Sequence, residues 1–177
     1  MKSYNVVEVD VEQGSYDWLI ERAGVPTASN FKKILTSTGK RSAQSKEYVY
    51  ELVAGCLVDD IDVAPQSYAM VRGSELEPVA KSHYEIATGL KVKDCGFFKI
   101  DLEDSCVIGC SPDGFIGKEG LIEIKCPMSP NHAKYLSKGV IPSEHFVQVQ
   151  GQLLVTGRIW CDFVSYNPNF KEEYQMM

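Results

Sequence analysis

Three residues stand where their types and spacing could do chemistry: Asp113, Glu123 and Lys125. Residues 106–127 read as two short strands joined at residues 117–120, where Gly117 and Gly120 bracket a tight connection between apolar runs. Side chains alternate along a strand. Leu121, Glu123 and Lys125 therefore share one face of the second strand, and Ile122, Ile124 and Cys126 share the other. The isoleucine face is a core face. The opposite face sets an acid and a base among apolar neighbours, where charges are costly unless they are paired or bind a metal. Asp113, at the end of the preceding strand, reaches the same edge.

Two carboxylates suit a hard divalent cation such as Mg²⁺, which takes oxygen ligands and keeps several waters. A cation held there lowers the pKa of a bound water and neutralises charge on a reacting phosphodiester. A neighbouring lysine holds the attacking water or stabilises developing negative charge. The competing reading is a surface Glu–Lys pair on an ordinary hairpin, because a bare Glu-x-Lys string recurs by chance. Asp113, set in Ser111-Pro112-Asp113-Gly114, favours the chemical reading.

The elements that must position this trio follow from periodicity. Residues 4–11 alternate loosely, as an edge strand would. A short helix covers residues 13–22, with Trp18 as its anchor. Thr27, Ala28 and Ser29 cap a second helix, with Phe31, Ile34 and Leu35 on one face and an end near Gly39. Val49, Leu52, Val53, Cys56 and Leu57 recur at helical spacing within residues 43–58. A connection containing Pro65 leads to a helix expected to open at Ser74, with Leu76, Val79, Ala80, Tyr84 and Ala87 as its buried stripe and Gly89 as its stop. Glu77 lies three residues after Ser74 and just before Pro78. It is either the partner in a capping box or a third carboxylate directed at a metal, and the local sequence favours the cap.

Two strands follow over residues 90–108, joined to the hairpin by an acidic turn at 101–104. Ser129 and Pro130 start a helix that runs to Lys138 and Gly139. Pro142 and Ser143 start another, with Phe146, Val149, Leu153 and Leu154 facing the core and the amides Gln148 and Gln152 on one side. Residues 159–166 form the last strand, followed by a short polar tail. This order predicts an α/β (α+β layered) fold in one domain spanning 1–177, with a mixed central sheet flanked by helices.

Composition narrows the class. At 177 residues, 44% hydrophobic and 24% charged, the chain reads as a soluble globular protein with a full core. No run of 18 apolar residues predicts a membrane span, and the N-terminus lacks an apolar signal core, so a cytoplasmic location without membrane partners is expected. The six cysteines form no Cys-x-x-Cys pair and stand at no zinc-type spacing from His83, His132 and His145, which predicts reduced thiols and no structural zinc. The net charge of −6 argues against a simple nucleic-acid coat. Residues 22–46, however, carry Arg22, Lys32, Lys33, Lys40, Arg41 and Lys46 with no acid, a distribution suited either to facing phosphate or to an ordinary solvated helix.

The strings Cys110-Ser111-Pro112-Asp113-Gly114 and Leu121-Ile122-Glu123-Ile124-Lys125-Cys126-Pro127 resemble the PD-(D/E)xK nuclease superfamily, and within it the lambda exonuclease group, or YqaJ-type viral recombinases. The likeness extends to Gln13, Gly14 and Trp18, to residues 22–29, to Arg72-Gly73 with Glu77, to His145 through Gln150, and to Tyr166-Asn167-Pro168. It implies a restriction-endonuclease-like core. It also implies a Mg²⁺-dependent enzyme (with Mn²⁺ as a substitute) that degrades one strand of linear double-stranded DNA from the 5′ end. In phage-type recombination such an enzyme acts with a single-strand annealing protein, in the host cytoplasm. By the same resemblance Glu77 becomes a metal ligand together with Asp113, Glu123 and the Ile124 carbonyl. Lys125 orients or activates the water, and Arg22, Ser29, Ser111 and Gln148 form a 5′-phosphate pocket, for which a guanidinium and neutral hydrogen-bonding groups are apt.

Members of the group form a ring-shaped homotrimer around DNA. This chain ends roughly ten residues after its last predicted strand, so the C-terminal contribution to such a ring is expected to be short. Two alternatives stand beside the leading reading. One is a related end-processing or endonucleolytic enzyme; the iron–sulfur type associated with CRISPR systems uses four cysteines near the chain ends, whereas the first cysteine here is Cys56. The other is a catalytically silent DNA-binding relative, which would have a broken acid set, whereas Glu77, Asp113, Glu123 and Lys125 are all present.

Overall fold

The computed structural model describes residues 4–63, 65–102 and 106–177. In chain order the elements begin with β1 (Val6–Val9), α1 (Tyr16–Arg22), a 3-10 turn (Ala28–Lys33), α2 (Ser45–Leu57), α3 (Tyr68–Thr88), β2 (Val92–Lys93) and β3 (Phe97–Leu102). They continue with β4 (Cys106–Cys110), β5 (Gly114–Ile116), β6 (Gly120–Lys125), α4 (Ser129–Lys138), α5 (Ser143–Thr156) and β7 (Trp160–Ser165). Of the acidic turn expected at 101–104, Asp101 and Leu102 belong to β3 instead, and residues 103–104 lie outside the described residues. The chain divides into two compact units.

The first unit comprises Met1–Val63, Cys95–Pro112 and Ser143–Ile159. Its sheet is antiparallel in the order β1-β3-β4, with Ile100 opposite Ile108 and Phe98 opposite Cys110. Phe97, Phe98, Ile100 and Ile108 are buried there, which is why this β-branched and aromatic run forms strands. Helix α5 packs on β3, β4 and the Ala28–Lys33 turn. That approach needs Gly151, since a Cβ at this position would lie 2.5 Å from Phe31 Cδ2.

Close packing at Gly151 turns α5 so that Val149, Gln152 and Val155 are buried. Phe146 and Leu154, expected in the core, are exposed instead. The helix expected after Ser29 is only the 3-10 turn, and Thr27, its N-cap, makes no side-chain capping bond. In α2 the buried residue is Tyr48, while Val49, Val53 and Leu57 lie exposed.

The second unit comprises Ala64–Asp94, Asp113–Pro142 and Trp160–Met177. Its four-stranded sheet runs β2-β5-β6-β7, with β5 antiparallel and β7 parallel to β6. A parallel neighbour requires a long crossover, and residues 126–159 supply it. β6 is paired on both edges, and residues on both of its faces are buried: Leu121, Ile122, Glu123 and Ile124 are each 5% exposed or less. Ile122 and Ile124 join Ile116, Val164, Tyr166, Ala80 and Tyr84 in one core cluster, the face expected from the alternation.

The strand expected to run unbroken from residue 106 to 116 is divided. Cys106–Cys110 pairs with β3, and Gly114–Ile116 pairs with β6. Pro112 lies between them; it has no N–H for a ladder. Helix α3 begins earlier than expected, with Ser67 as its cap accepting the Met70 N–H at 3.3 Å. No capping box forms at Ser74, whose Oγ donates back to the Met70 carbonyl, and Pro78 sits inside the helix. Of the expected stripe only Ala80 and Tyr84 are buried. Tyr84 Oη donates to Asp162 Oδ2 at 2.5 Å, joining α3 to β7.

The polar tail is ordered against the end of β7. Tyr166 bridges to Met176, and Asn167 N donates to the Gln175 carbonyl. Buried His132 links α4 to this segment through Ser165 Oγ and the Tyr174 carbonyl. No helix among the described residues is long and apolar enough to cross a membrane.

Candidate active site

In the second unit the alternation of β6 places Glu123 and Lys125 side by side, and their carboxylate and ammonium are ion-paired. The Glu123 side chain is 1% exposed and the Lys125 side chain 30%, so the pair sits with its acid inside and its base toward the surface. Asp113 Oδ2 accepts the Ile124 main-chain N–H at 2.6 Å, tying the residue before β5 to the middle of β6. Ile124 thus enters the site through its N–H; its carbonyl was the group expected as a ligand. Glu77 reaches the same group from α3, which packs on β6.

The electrostatics describe one cluster. Burial raises the Asp113 carboxyl well above its ordinary value; Glu123 and Glu77 add to the rise, while Lys125 and the Ile124 N–H oppose it. Burial also raises Glu77, with Lys81 and Lys125 opposing and Glu123 reinforcing. For Lys125 burial works against the charge, yet Glu123, Asp113 and Glu77 outweigh it and the ammonium is held more firmly than usual. Even with Lys81 acting on Glu77, three acids beside Lys125 give this place an excess of carboxyl over ammonium groups. That excess and the all-oxygen donor set fit a hard divalent cation such as Mg²⁺ or Mn²⁺. The nearby thiols do not compete as soft ligands: burial pushes Cys126 up to about 11 and raises Cys161 further, so both stay protonated at neutral pH. Among the described residues no three His, Cys, Asp or Glu side chains form a ready-made cage. Glu123 is turned to Lys125 and Asp113 to Ile124.

In the first unit Trp18 organises a second cluster. The Arg22 guanidinium lies 3.9 Å from the centre of the Trp18 ring, one helical turn away in sequence. The indole Nε1 donates to Ser111 Oγ at 2.8 Å. Arg22 Nη2 points to Ser29 Oγ at 3.4 Å and Thr27 Oγ1 at 3.5 Å. Burial lowers Arg22 to about 10, which leaves a desolvated cation, still protonated at neutral pH. Arg22, Thr27, Asn30, Tyr48 and Glu51 line a cavity of about 220 Å³. Gln148 is half-buried on α5, the helix packed on the turn that carries Ser29.

The sequence matches the YqaJ-like viral recombinase domain over residues 17–159. The chain belongs to this family. All nine residues singled out from the sequence as site residues lie in the matched span.

Among solved structures, this YqaJ-like chain is similar to the alkaline exonuclease LHK-Exo from Laribacter hongkongensis. The two share 36% identity, with a TM-score of 0.81 over 92% of this chain and 79% of that one. The same enzyme in complex with dAMP matches at a TM-score of 0.79, covering 92% and 80%. A phage-related exonuclease from Haemophilus somnus 129PT shares the fold, with a TM-score of 0.64 at 15% identity, covering 86% and 82%. No match was found among curated proteins. The expected fold class, mixed α/β with helices flanking sheets, is the one this YqaJ-like protein and the exonuclease share.

Trp18 was legible only as a packing anchor, although its spacing from Arg22 puts the two on one helical face. In this second cluster Thr27 was legible only as a helix cap, and Asn30 carried no sequence signal of its own.

Proposed function

We propose that this chain is a divalent-metal-dependent deoxyribonuclease that removes nucleotides from one strand of linear duplex DNA in the 5′→3′ direction, within phage-type recombination. The observation that carries the reading is the convergence of half-buried Asp113 and Glu77 with fully buried Glu123 beside the ammonium of Lys125. Membership of a viral recombinase family and likeness to an alkaline exonuclease support it.

Glu77, Asp113 and Glu123 would hold the cation, Mg²⁺ by their hard donors, with the Ile124 carbonyl as a further ligand. When bound, the cation supplies a water of lowered pKa and neutralises charge on the phosphodiester. Asp113 keeps its place because the Ile124 N–H fixes one of its oxygens. Glu123 is fully buried on a strand paired on both edges, which leaves its side chain little room to change rotamer. Lys125 then has two tasks: it balances Glu123 in the resting protein, and it offers three N–H donors to the attacking water and to the oxygen that becomes negative.

The Arg22 cluster would receive the terminal 5′-phosphate, with Ser29, Ser111 and Gln148 as neutral donors. A guanidinium already stripped of water and stacked on Trp18 loses little freedom when it binds an anion. A single-strand annealing protein would take up the strand left behind, and copies of the chain would assemble as a homotrimer around the duplex.

The test is digestion of end-labelled linear and circular duplexes of one sequence, with Mg²⁺ or with EDTA. Degradation of the linear form alone, only with Mg²⁺ and with the 5′ label released first, is the expected result. Equal cutting of the circle, or cutting in EDTA, contradicts it.

A further inference from the structure

Two sequence motifs, Arg72-Gly73 and Tyr166-Asn167-Pro168, have no role in the chemistry above, yet their polar side chains meet at one place. Beyond Lys125 the chain leaves the sheet through Cys126 and Pro127 before α4 begins. Carbonyls outside a ladder still need donors. Arg72 Nη1 donates to the Cys126 carbonyl at 2.5 Å and to the Pro127 carbonyl at 3.2 Å. Asn167 Nδ2 donates to the same Pro127 carbonyl at 3.0 Å, and Tyr166 N donates to the Lys125 carbonyl at 2.8 Å. Three successive carbonyls, starting at Lys125 itself, are therefore held from α3 on one side and from the end of β7 on the other.

We propose that Arg72 and Asn167 are positioning residues that set the strand exit and so aim the Lys125 ammonium. Arg72 stands on α3, five residues before Glu77, so one guanidinium joins the helix of Glu77 to the strand end of Lys125. A guanidinium suits this work because it is always charged, and charge-assisted bonds to carbonyls are short and strong. Asn167 is fully buried, and its own Oδ1 accepts the Asn169 N–H, which fixes the orientation of its amide toward Pro127. The Lys125 side chain is long and flexible; with its backbone shifted, its ammonium still finds Glu123 but no longer the reacting atoms.

Because this role presupposes the metal-dependent chemistry proposed above, a binding-independent readout accompanies the kinetic one. Arg72→Gln, Arg72→Lys and Asn167→Asp are compared with wild type by thermal melting, by heteronuclear NMR of the lysine ammonium groups, and by kcat and KM on a 5′-phosphorylated linear duplex. The Lys125 resonance is identified by its loss in Lys125→Ala. Arg72→Gln is expected to lower kcat by about tenfold to a hundredfold, the cost of a small misplacement, with KM within about twofold of wild type. Its Lys125 resonance moves. Arg72→Lys restores part of both, and Asn167→Asp, which keeps the acceptor but loses the donor, shows a smaller loss. The double variant loses less than the product of the single losses, because both residues serve the Pro127 carbonyl. Wild-type kcat and an unmoved Lys125 resonance in folded Arg72→Gln overturn the proposal, as does a kcat loss equal to the fraction unfolded. Should Arg72→Gln fail to fold, Asn167→Asp decides on the same criteria. A wild-type protein that cuts no DNA, but whose Lys125 resonance moves in Arg72→Gln, supports the positioning role and removes the nuclease reading.

Discussion

Asp113 accepts the main-chain N–H of Ile124 at 2.6 Å, so an acid outside the strands is pinned to the strand that carries Glu123 and Lys125. The bond holds a half-buried carboxyl next to a second acid, and the fold bears that cost. The folded pKa of Asp113 is raised by burial and by Glu123. At a pH below the unfolded value of about 3.9 the group is neutral in both states and costs nothing. As pH rises from there toward the folded value, the fold loses stability relative to a chain with a neutral group at this position. In EDTA, Asp113→Asn should therefore melt higher than wild type at neutral pH, with the gap closing as the pH falls to about 4. Calorimetric melting across that range checks it; a lower melting point for the variant at neutral pH contradicts it.

Metal addition reverses the order. Mg²⁺ at about a hundred times its Kd should stabilise wild type by about 2.7 kcal/mol, and Asp113→Asn by much less. Protons would compete with a metal held by Asp113 and Glu77, so the Mg²⁺ needed for half of the stabilisation should rise as pH falls. Melting points over a Mg²⁺ series at two pH values give this directly. A pH-independent midpoint would separate these acids from the metal.

Lys125→Ala leaves Glu123 buried beside two other carboxylates. In EDTA the variant should lose about 2 to 4 kcal/mol, somewhat less than for a fully buried pair because the lysine is partly exposed. Mg²⁺ should recover much of that loss, while turnover stays down by about a hundredfold or more. Chemical denaturation with and without Mg²⁺, beside kcat, separates the two effects. Loss of metal binding along with activity would make Lys125 a structural residue.

The part of the site on β6 was legible because strand alternation is strictly local: it put Glu123 and Lys125 on one face and the isoleucines on the other. Glu77 was legible only through the family resemblance, since locally Ser74 and Pro78 imitate a helix start that the chain does not use. The actual cap is Ser67, and Pro78 is accommodated in the interior of α3. The buried face of α5 was misjudged for a non-local reason. Large Phe146 and Leu154 attract attention in sequence, but contact with Phe31 demands the glycine at 151 and so selects the neighbouring Val149, Gln152 and Val155. The division of residues 106–116 between two sheets arises because β4 turns back to pair with β3 while β5 turns forward to pair with β6, a choice of partners that periodicity does not reveal.

Trp18 gives a further prediction, on end recognition. Wild type should prefer 5′-phosphate over 5′-hydroxyl duplex ends by at least about tenfold, because a charge-assisted contact contributes roughly 1.5–3 kcal/mol. Arg22→Ala should abolish most of that preference while slow cleavage continues. Trp18→Phe keeps a ring under Arg22 but removes the donor to Ser111, and should fall between the two. Initial rates on matched duplexes measure all three; no preference in wild type would remove the phosphate pocket.

The metal-dependent chemistry proposed for Glu77, Asp113 and Glu123 is tested most directly by the release of a 5′ label from linear duplex by wild type and by Glu123→Gln, each with Mg²⁺ and with EDTA. Wild type should release label only with Mg²⁺, and Glu123→Gln should release none in either, with a wild-type circular dichroism spectrum. Substantial release by folded Glu123→Gln, or by wild type in EDTA, would contradict the account.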